Sequence, residues 1–339
     1  NHMMNIPNLI SLKTVSSVLL VMLYSVAQAD TSPSKPVFEQ LVDAQTTIAK
    51  GPYKGLRVSH NKGVLLTGTF IPSQSASSIT KAAHLQKTPS KLTIRFSNAG
   101  GVPTIEDNNP SANPRGMAIR FELPDGSITD IVSLSINAFP VSTPEKFLGF
   151  LNAIIASKGE STKPSTLDQL ISETPSLQRF IAIPRDFPVS FTTASYFGIN
   201  AFEFINANGQ KSYVRYQIIP VNGKKALSPD QVKSAEPNYL FEELPERLKK
   251  TNPAFKLLAQ IADKDDVIND PSVVWPDDRK LVELGIIHVE DMVPYNIEAE
   301  KSLAFNPLLL LDGIEPTNDP VLLARPSAYA VSVGRRLTP

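Results

Sequence analysis

Arg325 and Tyr329, four residues apart near the C-terminus, are the pair in this chain with the clearest chemical consequence. On a helix such residues share one face, so a guanidinium would stand beside a phenol. A fixed positive charge favours the anionic form of its neighbour and lowers the phenol's pKa from its ordinary value near ~10. A phenolate is a hard, electron-rich ligand suited to ferric iron. Proton transfer needs a different group. Of the 4 histidines, His84 lies in the helical run Lys81-Ala-Ala-His-Leu-Gln86 and His288 in the apolar run Gly285-Ile-Ile-His-Val289, both settings for packed side chains. His2 belongs to Asn1-His2-Met3, which reads as a vector remnant ahead of a native start at Met4. That leaves His60, in Arg57-Val-Ser-His-Asn-Lys-Gly63, as the candidate acid–base group. The absence of cysteine excludes disulfides, thiolate ligation and Cys-based metal sites.

These residues must be positioned by a mostly extended chain. A helix is expected over 37–49, then strands over 64–70, 92–96, 117–122 and 128–133, with a short helix near 79–86. A Gly/Pro/Asn-rich loop fills 100–114, and helical spacing returns at 144–156. Strands follow at 201–205 and 213–220, joined by the turn Asn206-Ala-Asn-Gly209. The longest helical stretch is expected over 230–263, interrupted by prolines, and 280–289 reads as the last strand before the Arg325 segment. Many short strands with few interposed helices argue for an antiparallel α+β barrel or sandwich. The pattern alone leaves those two open.

Composition narrows the class. Lys+Arg and Asp+Glu both total 33, so nothing draws the chain toward nucleic acid or an anionic membrane. The 29 prolines against 16 glycines favour fixed loops. Near the N-terminus, Lys13 precedes the apolar run of residues 18–24, and Ala27-Gln-Ala29 supplies small residues at a cleavage position. Residues 1–29 are therefore read as remnant plus signal peptide, and 30–339 as one domain. The apolar run is too short to span a bilayer unaided, which sets the cleaved signal above an uncleaved anchor. Export without disulfides points to a bacterial periplasm, with no membrane attachment after cleavage.

Further motifs stand in order along the chain: Ile94-Arg-Phe-Ser-Asn-Ala-Gly100, Asn113-Pro-Arg-Gly-Met-Ala-Ile119, Asn137-Ala-Phe-Pro-Val141, Val274-Trp-Pro276, Leu303-Ala-Phe-Asn-Pro307 and Gly313-Ile-Glu-Pro316. Together with the His60 and Arg325–Tyr329 segments, this set resembles the catalase superfamily over about residues 36–337. The resemblance implies a catalase-like antiparallel barrel of about eight strands with flanking helices that bind haem b. It implies Tyr329 as the iron's axial ligand, held anionic by Arg325, and His60 as the distal acid–base residue, oriented by Ser97. Arg57 and Arg95 are expected to contact the haem propionates, and Asn137 to hydrogen-bond peroxide. Asn137 aligns only with a short gap.

The departures are as informative. The chain stops soon after Tyr329, as in the small catalase-related peroxidases, which this sequence is similar to. Asn200 stands where large catalases have a histidine, and Val331-Ser-Val-Gly334 replaces Asp-Thr-His-Arg, so the second partner flanking the proximal site is expected to be missing. A chain confined to the barrel core implies a shorter route to the haem and access by organic donors. The expected reaction is peroxidase turnover of hydrogen peroxide with a small organic electron donor, alongside some catalase activity. Two alternatives stay open: rearrangement of organic hydroperoxides on the same barrel, or non-enzymatic haem binding. Homodimers are compatible with barrel packing.

Overall fold

The computed structural model describes residues 35–338, so the expected signal peptide lies outside the described residues. A helix, α1 (Val37–Ile48), precedes strands β1 (Gly63–Pro72), β2 (Ser90–Ser97), β3 (Gly116–Glu122) and β4 (Ile128–Leu134). Helices α2 (Pro144–Ser157), α3 (Thr166–Glu173) and α4 (Pro175–Ala182) lead to β5 (Tyr196–Phe197), β6 (Phe202–Ile205) and β7 (Lys211–Pro220). Next come α5 (Pro229–Ser234), α6 (Tyr239–Lys250), β8 (Ala254–Ile261) and β9 (Leu281–Met292). The chain ends with α7 (Ile297–Ser302), β10 (Ile314–Pro316) and α8 (Pro320–Leu337).

The strands run in the order β7-β5-β4-β3-β2-β1-β9-β8, and pairing of β8 with β7 closes an eight-stranded antiparallel barrel. β6 and β10 extend from β7 outside the ring. Closure removes the sheet edges. Alternation along β2 explains how one strand serves both core and site. Leu92, Ile94 and Phe96 point into the core, while Arg95 and Ser97 take the other face. Inside the barrel Phe96 stacks on Phe191 at 5.3 Å, and Phe70 meets Phe121 edge-on at 5.1 Å.

The expected helix over 230–263 is not one element. Pro253 ends it, because proline cannot supply the donor that a continuing helix needs. The residues after it pair with both β7 and β9 as the strand that shuts the ring. The expected helix near 79–86 is only a 3₁₀ turn, Ala83–Leu85, preceded by another at Gln74–Ser78. The strand at 281–292 is the last before the segment 303–329, and the short β10 lies within that segment. His84 is buried against Phe121 at 4.9 Å, and burial pushes its pKa down to about 3. It is a core residue, as its setting in the sequence indicated.

Candidate active site

His60 and Ser97, two of the residues expected on the distal side, come together at one end of the barrel because of strand register. Gly63 pairs with Ser97, and Ser97 pairs with Gly116, so the start of β1, the end of β2 and the start of β3 lie side by side. His60 sits three residues before β1 and is brought onto this end. Its Nδ1 lies 2.9 Å from Ser97 Oγ. A Cβ built on Gly116 would fall 2.6 Å from Ser97 Oγ and 2.9 Å from His60 Nδ1. The missing side chain at Gly116 is therefore what makes room for the imidazole.

His60 has a φ of 49°, in the left-handed region that non-glycine residues seldom adopt. Arg95 holds that backbone, its Nη1 donating to His60 O at 2.7 Å and its Nη2 to Asn61 O at 3.0 Å. Burial, with the charges of Arg95, Arg325 and Arg57, lowers the His60 pKa to about 4. Its imidazole is thus neutral at neutral pH and able to accept a proton.

A buried carboxylate that the sequence reading missed, Asp107, fastens the chain beside His60, Ser97 and Gly116. It accepts from Lys62 Nζ at 2.7 Å, Asn98 Nδ2 at 2.7 Å and Leu240 N at 2.9 Å. Asn98 accepts in turn from Arg115, which also donates to the Asp107 carbonyl at 2.7 Å. Lys62, Asn98 and Arg115 are close neighbours of His60, Ser97 and Gly116. Asp107 lies in a Gly/Pro/Asn-rich loop, where an acidic residue carries no signal of burial.

The proximal side is fastened to the barrel by the Leu303-Ala-Phe-Asn-Pro307 segment. Arg120 binds Asp130 through two hydrogen bonds of 2.9 and 2.8 Å and donates to Ala304 O at 2.9 Å. Asn306 N donates to Asp130 at 2.8 Å, and Thr129 Oγ1 to Leu309 O at 2.7 Å. Asp319 then caps α8, accepting from Val321 N at 2.9 Å, with Pro320 in the first turn. Arg325 and Tyr329 both stand on this helix, one turn apart.

Arg325 Nη1 donates to Asn200 Oδ1 at 2.8 Å, and Asn200 Nδ2 donates to Asp319 at 2.8 Å. The expected absence of a partner flanking the proximal site is therefore corrected. An amide presents both an acceptor and a donor, so Asn200 links the arginine to the helix cap. Burial pushes the Asp319 carboxyl up. Arg325 and Asn200 border a narrow pocket with Asp130, Phe202, Tyr216 and Pro307.

A cationic cluster gathers around residues 300–303. Arg57 pairs with Glu300 and donates to Leu303 O at 2.7 Å, and Arg95 Nε lies 3.3 Å from the same carboxylate. Arg336 donates to Lys301 O at 3.0 Å and to Leu303 O at 3.2 Å. Neither Glu300 nor Arg336 was singled out from the sequence. Arg336 could have been, since it falls eleven residues, about three helical turns, beyond Arg325. Asn137 lies three residues past β4, partly exposed, and its side chain makes no hydrogen bond among the described residues.

These residues suit haem. The arginine cluster carries more positive than negative charge, matching a ligand with carboxylates. The glycine-cradled His60 provides an acid–base group, and α8 carries Tyr329, the expected iron ligand, whose side chain lies outside the described part of the structure.

The barrel has the fold of a catalase. A fungal catalase crystal structure matches with a TM-score of 0.74 at 20% identity, covering 88% of this chain and 63% of that one. The catalase family profile matches residues 55–339. A catalase-related peroxidase of Mycolicibacterium paratuberculosis is 34% identical over 84% of this chain and 90% of its own length. One from Synechococcus elongatus is 32% identical over 83% and 84%. A catalase of Latilactobacillus sakei is 28% identical over 80% of this chain but only 60% of its own length. The chain belongs to the catalase family.

Proposed function

We propose that this protein is a haem b-dependent peroxidase that reduces hydrogen peroxide with electrons from a small organic donor and keeps some catalase activity. Membership of the catalase family, with catalase-related peroxidases as relatives over nearly their full length, makes it a peroxide-acting oxidoreductase. The observation that carries the finer reading is the His60–Ser97 hydrogen bond of 2.9 Å, set in the Gly116 cradle. Mere haem binding needs no oriented, neutral imidazole at that place.

Arg57, Arg95 and Arg336 would hold the carboxylates of haem, and Tyr329 its iron. When bound, haem supplies ferric iron and takes up the two oxidising equivalents of peroxide. His60 accepts the proton that peroxide loses on approach and returns it to the departing oxygen, a shuttle that contributes ~10²–10⁴-fold. Ser97 holds the ring at Nδ1. Asn137 is assigned to hydrogen-bond peroxide, a role that rests on its place in the sequence. The cycle closes when an organic donor gives two electrons, or when a second peroxide does so and leaves as oxygen. Periplasmic action after cleavage at Ala29 completes the proposal and rests on residues 18–29.

The test is the visible absorption spectrum of the haem-loaded, signal-free protein during stoichiometric peroxide addition, followed by an organic donor. A spectral change on peroxide that the donor reverses supports a working peroxidase. A ferric spectrum indifferent to peroxide refutes it.

A further inference from the structure

Buried arginines are costly unless their charge is matched. Three of them converge on residues 300–303: Arg57, Arg95 and Arg336, the last two only 4% and 5% exposed. Among the described residues the one carboxylate that pairs with them is Glu300, itself 8% exposed. Glu300 stands in the single-turn helix α7, and its neighbour two residues back, Glu298, points outward with its side chain 77% exposed. The cluster therefore holds three positive charges and one negative, an excess of two (3 − 1 = 2). That excess equals the charge on the two carboxylates of haem.

The electrostatics of the loaded and empty protein then differ in sign at Glu300. In the empty protein Glu300 relieves repulsion among three desolvated cations. With two further carboxylates beside the same arginines, it becomes a like-charged neighbour competing for Arg57 and Arg95. We propose that Glu300 is a built-in carboxylate that stands in for a cofactor carboxylate, stabilising the haem-free protein and weakening its hold on haem. This rests on the haem-binding reading above. It assigns to Glu300 a trade between folding without the cofactor and retaining it.

The experiment compares wild type with Glu300→Gln, which keeps the shape and removes the charge. Haem loss is followed at the Soret band as haem passes to excess apomyoglobin, and the haem-free proteins are melted in parallel. Glu300→Gln is expected to lose haem about tenfold more slowly while its haem-free form melts at lower temperature. Repeating the transfer with the dimethyl ester of haem, which has no free carboxylates, should give equal rates for the two proteins. Equal or faster loss of free-acid haem from Glu300→Gln overturns the inference, as does an equal slowing with the ester. Should haem-free Glu300→Gln not fold, the same comparison is made in an Arg336→Gln background, where one cation fewer offsets the lost carboxylate. The same tenfold slowing is expected there, and its absence overturns the inference. Wild type that takes up no haem, with no Soret band on titration, overturns the haem reading itself and this inference with it. A wild type that binds while the variant shows no slowing overturns only the role of Glu300.

Discussion

Gly116→Ala tests the distal site with one methyl group. The new Cβ would stand 2.6 Å from Ser97 Oγ, 2.9 Å from His60 Nδ1 and 3.2 Å from His60 Cε1. The backbone cannot retreat, because Gly116 is paired with Ser97 on β2 and with Leu134 on β4. The side chains must yield, and the 2.9 Å hydrogen bond between them is the contact in the way. Overpacking costs ~1–3 kcal/mol, and the lost hydrogen bond ~0.5–1.5 kcal/mol more. Both are small against the closed barrel, so the variant should fold and melt a few degrees lower. Displacing a proton-transfer group by about 1 Å costs on the order of 10²-fold in rate. The assay is peroxide consumption at matched haem loading, beside thermal melting. Gly149→Ala is the control: nothing lies within 4 Å of its built Cβ, and in mid-helix it should stabilise by ~0.5–1 kcal/mol without altering rate. A Gly116→Ala protein with wild-type peroxide turnover would refute the idea that the His60–Ser97 geometry carries the chemistry.

Four further outcomes are expected. His60→Ala should lower peroxide turnover by ~10²–10⁴-fold while the Soret band on haem titration is unchanged, and surviving turnover would remove His60 from its role. Tyr329→Phe should weaken haem retention or alter the visible spectrum of the loaded protein; an unaltered spectrum and off-rate would rule out the phenolate ligand. Asn200→Ala should cost ~1–3 kcal/mol by removing the donor to the buried Asp319 Oδ2 and the acceptor of Arg325 Nη1, measured by denaturant unfolding, and a neutral result would show the link to be dispensable. The His84 pKa of about 3 lies below its unfolded value near ~6.5, so its stabilising contribution is complete above that value and lost as pH falls toward 3. The loss amounts to ~2 kcal/mol at pH 5, and His84→Leu should remove that part of the acid sensitivity in melts from pH 7 to 4.5.

Much of this arrangement is carried by short-range signals. Alternation placed β2, β3 and β4 nearly to the residue, because a strand with one buried face repeats every second position. The spacing of Arg325 and Tyr329 suits one turn of a helix, and Asp319-Pro320 announces where that helix starts. His60 stood out because few other histidines compete with it.

What the tertiary structure alone decided is what depends on residues far apart in the chain. Residue pattern by itself left barrel against sandwich open, and only the family resemblance pointed to the barrel; the ring closes where β8 pairs with β7, and the β8 segment, after a proline-broken helix, did not read as a strand. Gly116 sits inside the motif at 113–119 with no role legible there, and its lack of a side chain matters only because β2 carries Ser97 beside it. Asp107 and Glu300 carry no local signal, and gain their place only where Lys62 and Asn98 close around the first and Arg57 and Arg95 around the second. Asn200 looked like a loss until its two-sided amide met Arg325 and Asp319, 125 and 119 residues downstream. Periodicity reports on which face a residue takes. It is silent on which distant charge that face will meet, and buried charge is the term that shapes this site.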